Sequence, residues 1–566
     1  MRNRDTALSQ LRAQSPSPAV LIVGGGINGI GVYRDLALQG IPAVLVEKGD
    51  FSSGTSAAPS RLIHGGLRYL ETGEFALVRE SVVERNHLLI NAPHLVRPLP
   101  VWVPAFSWFG GLLSAGLRFL KLKKTPGAKG ILAVKLGLVF FDRFGRGNQT
   151  MPDHRLVPAE ERRRRMPNLS PKVAAVAEYY DARLTHPERL ALELVEDAER
   201  DCPDAIALPY VSLDGIDGGT VRLRDEISGE TLTVTPTLVV NCAGAWADRV
   251  NARLGIDKRL IGGTKGSHLV LRRPDLARPL GNGMLYFETR DFRACLIYTL
   301  DEERVLVGTT DIRADDPDTV RCSDEEIAYL FDVLEQVLPG ANAKKEDIVF
   351  AYAGLRPLPF SDASTTGAIS RDHALRDFEP EGARPFPVMT LVGGKWTTYR
   401  ACAAQIADAV LSRLGARRKA DTLKAPIGGG RDFDPGKQAV ATRAKALAEA
   451  CGLDPATATR LLDRYGSRAA SVAEAIRAGG GAALSATSLY ARGEIAWIVD
   501  NERVTRLSDI VLRRTLMGFE AVATRAVVEE VAAIAAERLG WDGARRARET
   551  EETLALLRDR YRVRLD

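Results

Sequence analysis

Val20-Leu-Ile-Val-Gly24-Gly-Gly26-Ile-Asn28-Gly29-Ile-Gly31 is the stretch from which the rest of the 566-residue chain can be read. A short apolar run ends in glycines, Gly29 to Gln39 has helical spacing, and Ala43 to Val46 is a second apolar run ending at Glu47. That order is a β-α-β unit. Within it GxGxxG directly follows the first strand: Gly24 makes the tight turn, Gly26 lets a pyrophosphate approach the backbone, and Gly29 lets helix and strand pack closely. The helix N-terminus adds amide donors and a positive dipole. Glu47 follows Gly29 by eighteen residues (47 − 29), at the end of the second strand, where a carboxylate accepts from ribose hydroxyls. The unit therefore reads as a dinucleotide site.

Two further junctions turn the reading towards FAD. Val392-Gly393-Gly394-Lys395-Trp396-Thr397-Thr398-Tyr399 is a strand that ends in two glycines and leads into a helix, a second amide-lined terminus suited to a ribityl chain or the flavin pyrimidine edge. Leu238-Val-Val-Asn241-Cys-Ala243-Gly244-Ala-Trp246 is a strand leading into a turn of small residues. The flavin contacts expected are Gly24, Gly26, Asn28, Gly29, Glu47, Ser60, Gly65, Gly66, Ala243, Gly244, Gly394, Lys395, Thr397 and Thr398.

Further strands are predicted at Thr237–Val240, His268–Leu271, Arg304–Val307 and Val388–Val392, with helices over Pro187–Arg200, Asp324–Leu338 and Tyr399–Arg413. The fold class is α/β: a Rossmann-like FAD-binding domain with an antiparallel-sheet substrate domain, interleaved over residues 19–424, and an α-helical C-terminal domain over 425–566. In that last part Ala, Arg, Glu and Leu recur with helical spacing and almost no strand signal.

Composition narrows the function. The 77 basic and 72 acidic residues leave a small excess on a large surface, which argues against nucleic acid as a partner. The six cysteines form no CxxC pair, so neither a zinc site nor a disulfide framework is expected, and no metal is assigned. Residues Met1 to Pro18 are polar and carry no apolar signal core, pointing to a cytoplasmic chain. The uncharged run Pro98–Leu117 is nearly long enough to span a bilayer, but Pro98, Pro100, Pro104 and Gly110-Gly111 make it a poor helix in lipid. From Trp102 to Phe144 aromatic residues and leucines alternate with Arg118 and several lysines, which suits an interfacial segment on anionic lipid as well as it suits a buried helical excursion.

Six stretches then carry a family resemblance. Leu62-Ile-His64-Gly65-Gly66-Leu-Arg68-Tyr69-Leu70-Glu71, Lys265-Gly266-Ser267-His268, Gly308-Thr309-Thr310-Asp311, Gly354-Leu-Arg356-Pro357-Leu358, Ser370-Arg371-Asp372 and Gly393-Gly-Lys395-Trp-Thr397-Thr398-Tyr399-Arg400 resemble, in order and approximate spacing, those of FAD-dependent, quinone-linked glycerol-3-phosphate dehydrogenases. The resemblance runs from residue 20 to about 520. It implies glycerol 3-phosphate as donor, a membrane quinone as acceptor and peripheral attachment to the inner face of the cell membrane. By the same resemblance Arg68 and Arg356 hold the phosphate, Arg371 lies near the reacting end, and Tyr69 and His268 also face substrate.

The chemistry agrees with those assignments. Arginine offers a phosphate a bidentate fork that stays charged, and a histidine suits proton transfer near neutral pH. His64 is the expected base, with Lys395 and Arg371 as its catalytic partners. Three places depart from the family pattern: Thr55–Arg61, where relatives carry more serines and a lysine; His373, where tyrosine is common; and Ile297-Tyr298-Thr299. They leave a related phosphorylated polyol open as donor. A soluble oxidase using oxygen and a non-catalytic flavin scaffold are the competing readings, and the oligomeric state stays open, a homodimer included.

Overall fold

The computed structural model describes residues 3–13, 18–67, 74–110, 130–145, 151–289, 293–361 and 372–566. Among them six strands form a sheet in the order Ala374–Phe378, Val388–Val392, Leu238–Asn241, Val20–Val23, Ala43–Glu47, Ile206–Pro209, parallel except for the antiparallel first strand. The central strands are continuous apolar runs because both faces are covered. Val20 and Ile22 point into one core, with the helices Ile27–Leu38, Pro187–Asp201 and Tyr399–Arg413. Leu21 and Val23 point into another, with Ala7, Leu8 and Leu11 of the helix Arg4–Ala13 and a three-stranded antiparallel sheet.

A second sheet of ten strands lies beside the first. Its longest ladder pairs Val96–Ala105 antiparallel with Ala175–Leu184, from Val96 opposite Leu184 to Ala105 opposite Ala175. The proline-bearing run from Pro98 is thus a sheet strand as far as Ala105. No helix among the described residues is long and apolar enough to cross a membrane. Thr264–Arg272 pairs with both Arg304–Gly308 and Ile348–Arg356, which brings His268, Gly308 and Arg356 to one region of the sheet. The chain alternates between the sheets: 20–47, 206–209 and 238–241 serve the mainly parallel one, 62–184 and 264–356 the ten-stranded one, and 374–392 returns to the first.

From Lys437 onwards the described chain is mainly helical, with Pro455–Tyr465, Arg525–Leu539 and Gly543–Tyr561 among its longer helices. The expectation of almost no strand needs one amendment: Ala483–Leu484 and Thr487–Ala491 form a hairpin. Helix capping is explicit here, with Asp454, Thr524 and Asp542 each accepting from the backbone three residues on. Val527, Val528 and Val531 join Phe350 and Tyr352 of the second sheet in one core. This domain therefore packs against the sheet and not merely beside it.

Candidate active site

Gly24 sits at φ +109°, and a Cβ there would lie 2.6 Å from the Cys242 carbonyl oxygen. A Cβ on Gly29 would lie 2.0 Å from the Gly24 carbonyl oxygen. Both positions require glycine for close backbone approach. Gly26 is the extended N-cap of the helix Ile27–Leu38, and no side chain of its own caps that terminus. Instead the Ile27 N–H donates to Ser56 Oγ at 3.0 Å, and the Trp396 indole N–H donates to the Ser56 carbonyl at 3.1 Å. Ser56 was not picked out from the sequence, although it lies in the Thr55–Arg61 loop that was.

Glu47 accepts from the Gly25 N–H at 2.7 Å and the Gly49 N–H at 2.9 Å. Burial raises its carboxyl above the ordinary value, and those two backbone bonds work against the rise. Asn241, fully buried, shapes the third junction: its amide donates to the Ala247 carbonyl and its oxygen accepts from Ala243 N–H at 3.1 Å. Gly244 there has φ +57° with open space where a Cβ would point.

The 393–398 turn closes on the same place. A Cβ on Gly394, at φ +104°, would lie 2.4 Å from Asn28 Nδ2. Asn28 Oδ1 is buried with no hydrogen-bond partner among the described residues, and a buried amide oxygen of this kind calls for a donor. Together with the glycine N-cap of the helix and the acid at the strand end, it makes the crevice fit an FAD molecule. Thr397 Oγ1 accepts from the His64 N–H at 3.2 Å. The neighbouring Gly65 N–H donates to Asp181 Oδ1 at 2.9 Å, Arg85 balances that carboxylate at 3.0 Å, and Tyr179 donates to its other oxygen at 3.1 Å. A Cβ on Gly65 would meet the Phe141 ring at 2.4 Å, and Gly66 has φ +75°. Asp181 and Arg85 thus hold the His64 loop from the side of the strand Ala175–Leu184. Neither stands in any motif, since the residues they join are about a hundred positions apart.

Arg356 donates to Asp311 Oδ1 at 3.1 Å, Thr309 Oγ1 at 3.0 Å and the Thr310 carbonyl at 3.3 Å, and it lies across Gly266, where a Cβ would come within 2.1 Å of its guanidinium. The glycine makes room for the fork. His268 is 2% exposed, stacked on Tyr352 with ring centroids 4.8 Å apart, and its Nε2 is 2.7 Å from Ser60 Oγ. Ser60 is thereby tied to the sheet. Lys395 is half-buried, in the electrostatic neighbourhood of Glu80, His373 and Asp372. Burial lifts the Glu80 carboxyl above its ordinary value, another group that the sequence did not single out. Arg68, Tyr69 and Arg371 lie outside the described residues.

Burial, and next the charge of Arg356, push the His268 imidazole down to about 3. The unfolded chain protonates this ring near its ordinary value of about 6.5 while the folded one resists, so stability is full above that value and falls as pH drops towards 3. His268→Gln should flatten that part of the profile in thermal melts between pH 7 and pH 4. An unchanged acid slope would show that other groups, such as half-buried His186, control it.

Residues 19–407 match the model of the FAD dependent oxidoreductase family, and residues 420–546 match that of the C-terminal domain of alpha-glycerophosphate oxidase. A glycerol-3-phosphate dehydrogenase of Synechocystis sp. is 33% identical over 542 residues, covering 90% of this chain and 92% of the relative. The chain belongs to the FAD-dependent glycerol-3-phosphate dehydrogenase/oxidase family. A family member from Mycobacterium tuberculosis, glycerol-3-phosphate dehydrogenase 1, is 31% identical over 517 residues, covering 88% of this chain and 91% of that one. D-erythritol 1-phosphate dehydrogenase of Brucella abortus is also 31% identical, over 508 residues, covering 88% of this chain and 93% of its own length. In fold the chain resembles glycerol-3-phosphate dehydrogenase from Bacillus halodurans complexed with FAD, with a TM-score of 0.76 at 23% identity, covering 98% of this chain and 97% of that one. FAD is the cofactor of this family.

Proposed function

We propose that the chain oxidises sn-glycerol 3-phosphate to dihydroxyacetone phosphate and passes the electrons to a membrane quinone. The observation that carries this reading is the double anchorage of the His64–Gly65 backbone, to Thr397 of the 393–398 turn and Asp181 of the strand Ala175–Leu184. It supports a reading in which His64 stands between a flavin-type crevice and an arginine-bearing sheet. FAD, when bound, supplies a two-electron acceptor for the C2 hydride at its N5. His64 takes the hydroxyl proton as that hydride leaves, so that C–O becomes C=O. Arg356 binds the phosphate with its fork, joined by Arg68, while Arg371 serves the reacting end and Lys395 stabilises negative charge near the substrate oxygen or the flavin. In the crevice the Gly26 turn faces the pyrophosphate, Glu47 accepts from the ribose, and Asn28, Gly394 and Thr398 line the flavin end.

The membrane part rests on one surface. Phe106, Trp108 and Phe109 are exposed, the last by 73%, and so are Leu132, Leu136 and Val139 along one face of the helix Ile131–Gly145. The Ile131 N–H donates to the Ser107 carbonyl at 3.0 Å, which joins loop and helix into one apolar patch. Lys135 is exposed on the same helix. A contiguous apolar face beside a lysine suits an interfacial position on anionic lipid. Trp102 and Phe141 do not contribute to it: Trp102 is buried with its indole N–H on Glu178, and Phe141 packs on Gly65. The double variant Phe109→Ser/Leu136→Ser should lose most of its sedimentation with phosphatidylglycerol vesicles and keep its activity with a soluble dye. Retained sedimentation would remove the patch from the proposal.

Anaerobic addition of glycerol 3-phosphate should bleach the flavin band near ~450 nm. Arg356→Ala should raise the substrate concentration needed by roughly 10–100-fold, the scale of a lost charged hydrogen-bond pair. Faster bleaching with erythritol 1-phosphate than with glycerol 3-phosphate would move the assignment to that substrate. Oxygen is the alternative acceptor, favoured by the match of residues 420–546 to a glycerophosphate oxidase domain. Peroxide production at a rate matching substrate consumption would select it.

A further inference from the structure

The loop that follows Glu47 forms the back wall of the glycine turn. The Ser52 N–H donates to the Gly25 carbonyl at 2.8 Å, and a Cβ on Gly25 would touch Phe51 at 2.8 Å and Glu47 at 2.7 Å. Tyr210 N–H fixes the same loop through the Gly49 carbonyl at 2.8 Å. Asp50, at its centre, is buried, and its carboxylate turns away from the crevice towards the C-terminal domain. Arg514 grips it with two nitrogens, at 2.6 and 2.9 Å, and Arg513 Nε adds a third bond at 2.5 Å.

Two consecutive arginines reach one carboxylate because Ile510–Arg514 is a π turn, closed by the Thr515 N–H on the Ile510 carbonyl at 3.0 Å. Such wide turns within helices recur at functional sites. Arg513 also pairs with Asp509 at 2.6 Å, and Asp509 accepts from the Tyr210 hydroxyl at 2.6 Å. Two carboxylates and two guanidiniums therefore balance inside the domain junction. Burial opposes the charge on Asp50, but Arg514 and Arg513 outweigh it and hold the carboxyl below its usual range. Because removing one member strands a buried charge, the cluster couples the two domains at the loop that bears the ribose acid.

We propose that the Asp50–Arg513–Arg514 cluster is a positioning device through which the C-terminal domain sets how tightly FAD is retained, by fixing loop 48–53 and with it Glu47 and the Gly24–Gly26 turn. The inference rests on the reading of Glu47 as the ribose acceptor. It gives the helical domain a task at the proposed FAD site.

The test titrates FAD into the full-length apoprotein and follows flavin fluorescence, alongside thermal melts with and without FAD. Arg514→Lys and Arg513→Gln should each weaken FAD binding on the order of 10-fold, the scale of a hydrogen bond to a charged group, and shrink the melting shift that FAD produces. The concentration dependence on glycerol 3-phosphate at saturating FAD should stay within about 2-fold, as Arg513 and Arg514 bond to Asp50 while Arg356 bonds to Asp311, Thr309 and Thr310. Arg513→Gln leaves the bidentate Arg514–Asp50 pair in place and supplies the measurement if Arg514→Lys does not fold. Equal loss of melting temperature in apo and FAD-bound forms, with unchanged FAD affinity, would overturn the proposal and leave a plain domain staple. Glu47→Gln is the control: weakened binding there but not in the arginine variants rejects the clamp alone, whereas no effect at Glu47 rejects the ribose reading beneath it.

Discussion

Gly29→Ala is expected to yield a folded protein that purifies nearly colourless. The added methyl meets the Gly24 carbonyl oxygen at 2.0 Å and Cys242 Cβ at 3.2 Å, and the first of these is backbone that no rotamer change can move. The helix Ile27–Leu38 must shift away from the strand, carrying its N-terminal amides out of register with a pyrophosphate. Overpacking of this kind costs about 1–3 kcal/mol or more, which as lost affinity is roughly 10–100-fold or greater. Absorbance near ~450 nm relative to protein, followed by FAD titration, checks it. Gly543→Ala, where a methyl meets nothing within 4 Å, is the matched control and should keep its colour. A Gly29→Ala protein with full flavin content would mean that the pyrophosphate does not lie on this turn.

His64→Asn should give the opposite combination: flavin retained, chemistry nearly lost. The bond between residue 64 and Thr397 uses the backbone N–H, which the substitution preserves, as it does the anchorage of Gly65 on Asp181. Only the imidazole goes. Loss of a general base typically lowers rate by about 10²–10⁴-fold, so anaerobic bleaching by glycerol 3-phosphate should slow by that factor at unchanged FAD content. Recovery as pH is raised would follow if hydroxide replaces the base. Bleaching at the normal rate would clear His64 of the role and direct attention to Glu80, the half-buried carboxyl near Lys395.

The β-α-β unit was legible because a strand covered on both faces is written as an unbroken apolar run, and Gly24 and Gly29 mark contacts that only glycine permits. The helices Pro187–Asp201 and Tyr399–Arg413 were legible by their spacing. The Ala483–Leu484 hairpin was not, since two residues carry no period. The run from Pro98 read as unsuited to a membrane helix, yet its place in a ten-residue ladder depends on Ala175–Leu184, far along the chain. At the site, His64, Glu47 and Gly394 stand in local motifs. Asp181, Arg85 and Asp50 do not, because what gives them meaning is a partner brought by the fold. His268 shows the difference in kind: its sequence neighbours place it near substrate, and its ring stacks on Tyr352 and meets Ser60.

The alternation of the chain between its two sheets has a consequence for biosynthesis. Strand Leu238–Asn241 lies between Val20–Val23 and Val388–Val392, and the crevice needs Gly24 and Gly394 side by side through Asn28. A nascent chain emerging at about 5–20 residues per second cannot complete that crevice until the ribosome has passed residue 398, roughly 20–80 seconds after it started. Until then the Asn28 side chain lacks Gly394 beside it, and the apolar strand Leu238–Asn241 has no neighbour on one side. With FAD in the proposed crevice, its loading is expected to be a late event in the life of each molecule, and a chain truncated before the Gly393–Thr398 turn is expected to bind FAD poorly, which flavin fluorescence titration checks.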